Sequence, residues 1–322
     1  MLPHAGTDSR VWREVVGLGA DLSRLAQVAG SPVPAEVALL LDWESWWALE
    51  LDSHPSRLRL TELIREFYRP LFEAGVNADF AHPERDLSGY RLVLVPALYL
   101  VSNAGADNVR QYAADGGTVL ISFFSGIVDP DDRIRLGGYP APWRGLLGLR
   151  VEEFAPLTEG AVVRLDGEAN ANADADADAN ADADANGDER RAVGRLWQDA
   201  IDLHGAEPLL RYAEGRLAGQ AAVTRHTYGR GEAFYLGTLP DRATLRVLVE
   251  QACRYAGVEF RTDLPAGVEA VRRGDHLFLI SHLDRPVELD LGGKSLDLLT
   301  SDIVGPAVVL GPRGVLVLTA RD

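Results

Sequence analysis

The 322 residues suffice for two domains and a sizeable core, and 47% of them are hydrophobic, as in an ordinary globular protein. The formal net charge is −16, but eight acids sit between Glu168 and Glu189 with no basic residue among them, so the remainder carries only −8. No basic stripe marks a nucleic-acid partner, no run approaches the ~20 apolar residues of a membrane helix, "MLPHAGTDSR" has no basic-then-apolar leader, and the single Cys253 excludes an intrachain disulfide framework, so a cytoplasmic protein is expected.

The first thirty residues read as one helix. Val11, Val15, Leu18, Leu22 and Leu25 recur at helical spacing, and Thr7, Asp8 and Ser9 are candidate N-caps. "GSPVP" at Gly30–Pro34 then reads as a linker. An amphipathic helix standing alone needs something to cover its apolar face.

From Ala35 the pattern changes. "EVALLLD" reads as a buried strand. "SRLRLTELIREFYRPLFEAG" reads as a helix with Leu60, Leu63, Ile64, Phe67 and Leu71 on one side. "NADFAH" and "YRLVLVPAL" are strands, a helix is expected around Asn108–Ala114, and "GGTVLISFF" is a third apolar strand. Strands alternating with helices predict a parallel sheet covered on both faces. "AAVTRHTYGRGEAFYLGTLP" reads as a hairpin turning at Tyr228–Gly231, and "DRATLRVLVEQACRYAG" closes this domain as a helix.

The stretch Glu168–Glu189 alternates Ala with Asp or Asn. It has no apolar face and repels itself, so a disordered insertion is expected. Asp174, Asp176 and Asp178 imitate the start of a calcium loop, but the sixth position is Ala179 where the loop needs Gly. After about Pro265 only short strands and turns remain, the clearest turns at Gly274–Asp275 and Pro312–Gly314. This is a small all-β domain, expected to pack on the preceding one.

Chemistry is hard to find. The nearest approach to a nucleophile elbow, "SFFSG" at Ser122–Gly126, places Phe124 where the nucleophile belongs. Cys253 lies among apolar neighbours and reads as buried and inert. No Gly-rich nucleotide loop is present, and His4, His54, His82, His204, His226, His276 and His282 form no zinc-type pair, so neither cofactor nor metal is expected. One stretch stands out, "LLLDWESWWALELD" at Leu39–Asp52. Asp42 stands at the C-terminal end of a strand, where α/β proteins often place sites, with Trp43, Glu44, Trp46 and Trp47 behind it. Three readings compete. Asp42 and Glu44, or Ser125, could form a residual hydrolytic site. The tryptophans could stack on sugar. Alternatively Asp42 caps a helix and the tryptophans serve a contact surface.

"MLPHAGTDSRVWREVVGLGADLSRLAQVAGS", "VALLLDWESWWALELDSHPS" and "FYRPLFEAGVNADFAHPERDLSGYRLVLVPALYLVSNA" closely resemble glycoside hydrolase family 42, the β-galactosidases, and the resemblance runs to the end of the chain. The Ala/Asp/Asn insertion departs from it. The resemblance implies a leftover helix of a (β/α)8 barrel over 1–34. It implies a parallel-sheet, class I glutamine amidotransferase-like α/β domain over 35–262 that builds a homotrimer, with the disordered insertion at 168–189. A small β domain over 263–322 follows. It also implies that the two glutamates for retaining hydrolysis of terminal β-D-galactosides lie on barrel strands upstream of the position matched by Met1. No catalytic residue therefore carries over, and this reads as a non-catalytic C-terminal portion from a truncated or split gene. Asp42, Trp43, Glu44, Trp46 and Trp47 become candidate contacts to another copy or to a barrel, which could lie on a separate chain.

Overall fold

The structure, a computed structural model, describes His4 and residues 6–167, 192–260 and 264–320. The expected insertion and the imitation calcium loop lie outside the described residues. The chain divides into two compact units. The larger comprises Ala35–Leu71 and Ala78–Phe260; the smaller comprises Met1–Pro34, Phe72–Asn77 and Arg261–Asp322.

The first helix, α1 (Arg10–Arg24), is shorter than its periodicity predicts. Ser9 caps it, its hydroxyl accepting the Trp12 N–H at 3.3 Å, and Arg24 sits in the last turn where a cation suits the helix dipole. A 3₁₀ turn at Ala26–Val28 replaces the final turn, and Gly30 at φ 80° redirects the chain. No residue of α1 is buried: Val11, Val15, Leu18 and Leu22 are 46–60% exposed.

In the larger unit, β1 (Val37–Leu40) is buried at every position, as an apolar run within a parallel sheet must be. Then follow α2 (Trp43–Leu49), α3 (Leu60–Glu73, the last two residues counted with the smaller unit), β2 (Ala78–Ala81), β3 (Leu92–Val95), α4 (Asn103–Ala114), β4 (Thr118–Ser122) and α5 (Arg144–Leu147). In α3, Leu60, Leu63, Phe67 and Leu71 are buried as expected, while Ile64 is only half-buried at the margin of that stripe. α4 starts five residues earlier than its apolar pattern indicates, because Ser102 caps it by accepting the Gly105 N–H at 3.0 Å.

Beyond α5 come β5 (Leu149–Phe154), β6 (Val162–Gly167), β7 (Val193–Arg195), β8 (Asp199–Leu203), β9 (Glu207–Tyr212), β10 (Ala221–Tyr228), β11 (Gly231–Leu236) and β12 (Leu239–Pro240). The helix α6 (Arg242–Ala256) ends at Gly257 in the left-handed region. Ten strands form one sheet in the order β12-β7-β6-β9-β10-β11-β4-β3-β1-β2.

Only half of that sheet is parallel, so the expected parallel sheet is one part of a larger mixed sheet. β2, β1, β3, β4 and β11 run parallel, with α2 and α3 between β1 and β2 and α4 between β3 and β4. The hairpin between β10 and β11, turning tightly at Gly229 (φ 60°), reverses direction, and β9, β6, β7 and β12 continue antiparallel. β5 and β8 form a separate antiparallel ribbon. One large core joins the parallel strands to α4, α5 and β5, with Trp143 fully buried in it and its indole N–H given to the Ala106 carbonyl at 3.1 Å.

The smaller unit holds β13 (Val268–Arg273), β14 (His276–Ser281), β15 (Val287–Asp290), β16 (Ser295–Asp297), β17 (Ile303–Val304), β18 (Ala307–Leu310) and β19 (Val315–Ala320). Five form a sheet ordered β13-β14-β19-β16-β17, and β15 pairs with β18. β18 and β19 look like a hairpin in sequence yet belong to different sheets. Successive residues of β19 face opposite sides: Leu318 joins the core shared with β15 and β18, and Val317 meets Val28 and Leu298.

Candidate functional site

β1 delivers the chain to Asp42, whose extended backbone (φ −134°, ψ 128°) makes it the N-cap of α2. Its Oδ1 accepts the Glu44 N–H at 2.8 Å, with the Ser45 N–H farther off at 3.5 Å, and its Oδ2 lies 3.5 Å from His82 Nε2. The carboxylate is thus largely buried and bound to backbone amides at a helix start.

The inner face of α2 is fixed. Leu49 is fully buried, and the buried Ser45 hydroxyl accepts the Leu100 N–H at 3.1 Å. Trp46 stacks on Trp43 with ring centroids 5.1 Å apart and gives its indole N–H to Glu50 Oε1 at 2.8 Å. Glu50 also accepts the Leu60 N–H and Arg59 Nη1, each at 3.1 Å, tying the end of α2 to the start of α3. Burial acts to raise the Glu50 carboxyl, but the three hydrogen bonds, with Arg59's charge, outweigh it and hold the group below its usual range. Sequence reasoning missed Glu50. The available signal was its i,i+4 spacing from Trp46.

The outer face presents Trp43 at 59% and Trp47 at 67% exposure, beside Glu44. The structure therefore gathers all five candidates on one short helix and its cap, in two classes. Asp42 is a structural cap; Trp43, Glu44 and Trp47 face solvent, with Trp46 bridging.

No nucleophile emerges at the neighbouring strand ends. Ser122 Oγ accepts the Ala97 N–H at 2.8 Å and Ser125 Oγ accepts the Leu98 N–H at 3.1 Å, and both serines are buried. Phe124 takes a left-handed conformation (φ 56°) and packs among His54, Tyr99, Phe154 and Trp197, filling the space above the strand ends with rings. Cys253 is fully buried in α6, and burial, reinforced by Glu250 and Glu36, pushes its thiol up to about 12. It is expected to resist a thiol reagent in native buffer and to react fully in denaturant; rapid native labelling would contradict that placement. Among the described residues, no three His, Cys, Asp or Glu side chains converge as a metal site requires. In a depression of about 380 Å³ near Arg225 and Tyr255, the Arg225 charge is already met, since it pairs with Glu207 at 2.7 Å and lies 4.9 Å over the Tyr255 ring.

The profile described as the beta-galactosidase trimerisation domain of glycoside hydrolase family 42 matches residues 35–259. The chain belongs to this β-galactosidase family. Family relatives include β-galactosidase LacZ of Heyndrickxia coagulans, 40% identical over 324 residues, and a β-galactosidase of Arthrobacter, 43% identical over 323 residues. Those alignments cover 99% and 98% of this chain but 46% and 43% of the relatives, so the chain spans less than half their length. The solved β-galactosidase of Bacillus circulans superposes with a TM-score of 0.88 at 30% identity, over 99% of this chain and 46% of that one. That of Rahnella does so with a TM-score of 0.85, also at 30% identity and with the same coverage. The family's trimerisation domain thus accounts for the ten-stranded sheet and α2, and no (β/α)8 barrel occurs among the described residues. No helix among them is long and apolar enough to cross a membrane.

Proposed function

We propose that this chain acts as the homotrimerisation module of a family 42 β-galactosidase and has no hydrolase activity of its own. The parent reaction is hydrolysis of terminal non-reducing β-D-galactose residues in β-D-galactosides. The observation that carries the reading is the match of 35–259 to a trimerisation domain. Support comes from α2, which fixes one face in the core and leaves Trp43 and Trp47 to water, an arrangement suited to a protein contact. Asp42 shapes this surface as the cap, Trp46 stiffens it from beneath, and Glu44 lies on its polar margin.

In the same proposal, 35–262 is an amidotransferase-like domain, supported by its parallel βαβ half-sheet, with Phe124 where a nucleophile would stand. Residues 263–322 form the small β domain. Residues 1–34 carry a helix that docks on a (β/α)8 barrel through Val11, Val15, Leu18 and Leu22, whether that barrel lies in the same chain or another.

The double substitution Trp43→Ala/Trp47→Ala tests the contact surface. Truncating buried interface tryptophans costs about 2 kcal/mol or more each, so sedimentation should show the trimer dissociating at concentrations where the parent chain stays associated. Because both side chains are largely exposed in the single chain, the far-ultraviolet circular dichroism spectrum should not change. A trimer of undiminished affinity would remove Trp43 and Trp47 from the interface.

A further inference from the structure

The segment after β4 is pinned from within, yet it presents apolar side chains outward. Asp129 Oδ1 accepts the Asp131 and Arg133 N–H groups at 2.9 and 3.0 Å, closing a tight turn. Arg135 then points inward. Its guanidinium donates to Asn103 Oδ1 at 2.8 Å, to the Val101 carbonyl at 2.6 Å and to the Val128 carbonyl at 3.3 Å, while its own N–H bonds the Ile127 carbonyl at 2.9 Å. Ile134 bridges to Val128, so the segment is locally extended, and Arg144 holds the Gly137 carbonyl beyond it. With Arg135 inward, the two-residue alternation of extended chain sends Ile134 and Leu136 outward. They are 60% and 90% exposed, and Leu136 and Trp47 are the two most exposed large apolar side chains among the described residues.

A loop held by this many internal hydrogen bonds has already met the entropic cost of ordering, so its apolar tip is preorganised for a partner. The partner is argued from symmetry. A closed three-fold ring is built from heterologous contacts, in which one patch on each copy meets an unlike patch on the next. The larger unit carries two such patches at the same end of its parallel strands: the aromatic platform of α2 after β1, and the Leu136 loop after β4. The Arg135 bonds to Val101 and Asn103 seat the loop on the stretch that leaves β3, and the Leu100 N–H of that same stretch is held by Ser45 of α2, so the two patches adjoin one segment and can flank one axis.

We propose that Ile134 and Leu136 of one copy seat against Trp43 and Trp47 of the next copy, so that the loop and α2 are the two unlike halves of the trimer contact. This rests on the trimerisation reading above.

Complementation between two variants of the full chain tests it. Leu136→Asp destroys the loop half and Trp47→Asp the platform half. Each alone should lose at least tenfold in association affinity while keeping the monomer's circular dichroism spectrum and melting temperature. Mixed, the two retain one intact contact, between the loop of the Trp47→Asp chain and the platform of the Leu136→Asp chain. Light scattering should then show a particle of two chains and none of three. If the parent chain is a trimer and Leu136→Asp stays trimeric, or the mixture yields no two-chain species, the pairing is overturned while the trimer stands. If the parent chain is monomeric throughout, the trimerisation reading itself falls.

Discussion

Gly231→Ala is expected to destabilise the larger unit by more than about 3 kcal/mol, enough to unfold much of the chain in mild urea. Gly231 opens β11 directly after the hairpin turn, where β11 aligns with β4. A Cβ there would lie 2.1 Å from the Gly117 carbonyl oxygen and 2.3 Å from that of Ala113. Both obstructions are backbone, and one belongs to the last turn of α4, so no side chain can rotate away. β11 would have to move off β4, and that junction is where the parallel half of the sheet meets the antiparallel half. Gly145→Ala is the control: in α5 its Cβ meets nothing within 4 Å, and a helix favours Ala over Gly by up to about 1 kcal/mol. Urea denaturation of both variants should show a large loss for Gly231→Ala and none for Gly145→Ala. A Gly231→Ala midpoint matching the parent would mean that the strand junction is placed wrongly.

The second large effect is a dependence of stability on pH set by Asp199. This carboxyl is fully buried, accepts the Trp197 indole N–H at 2.8 Å and the Tyr235 hydroxyl at 2.7 Å, and sits beside Tyr212, whose hydroxyl accepts the Asp199 N–H at 3.1 Å. Burial raises the group, the two donated hydrogen bonds lower it, and burial wins, leaving it at about 7. The folded chain therefore holds a proton between the ordinary aspartate range near pH 4 and pH 7, where the unfolded chain has released it. Stability contributed by this group is fully present below about pH 4, falls as pH rises toward about 7, and is flat above, a total on the order of 4 kcal/mol. Glu50, Asp129 and Glu214, whose carboxyls are held low, act with the opposite sign and only at more acidic pH. Asp199→Asn removes the titration. Urea unfolding at pH 5 and pH 8 should show the parent markedly weaker at pH 8 and the variant nearly equal at both. Equal slopes for the two proteins would contradict the assignment.

Much of this architecture is legible in the residues. The continuous apolar runs of β1, β3 and β4 can only be buried strands, and the Gly229 turn announces the β10–β11 hairpin. A capping Asp42 is one of the readings that its place at a strand end allows, and the structure selects it. Other parts are not legible, for physical reasons. β6, β7 and β9 are short, with modest alternation such as buried Val163 and Leu165 between exposed neighbours, and the Ala/Asp/Asn stretch interrupts them in sequence. Local periodicity gives no sign that they extend the parallel strands as an antiparallel half-sheet, because strand order is a long-range property. The outward Ile134 and Leu136 look like ordinary apolar residues in a turn. Only the inward hydrogen bonds of Arg135 reveal which way they point. Asp199 carries no local signal either, since its character comes from Trp197, Tyr212 and Tyr235 closing around it.

The central claim, an assembly module without chemistry of its own, is tested most directly by light scattering on the purified chain with nitrophenyl-β-galactoside turnover read on the same sample. A particle of three chains with no turnover above buffer is the expected result. A monomer that hydrolyses the galactoside, with activity lost in Glu44→Gln, would contradict it and would place a working site on the very helix assigned here to contact.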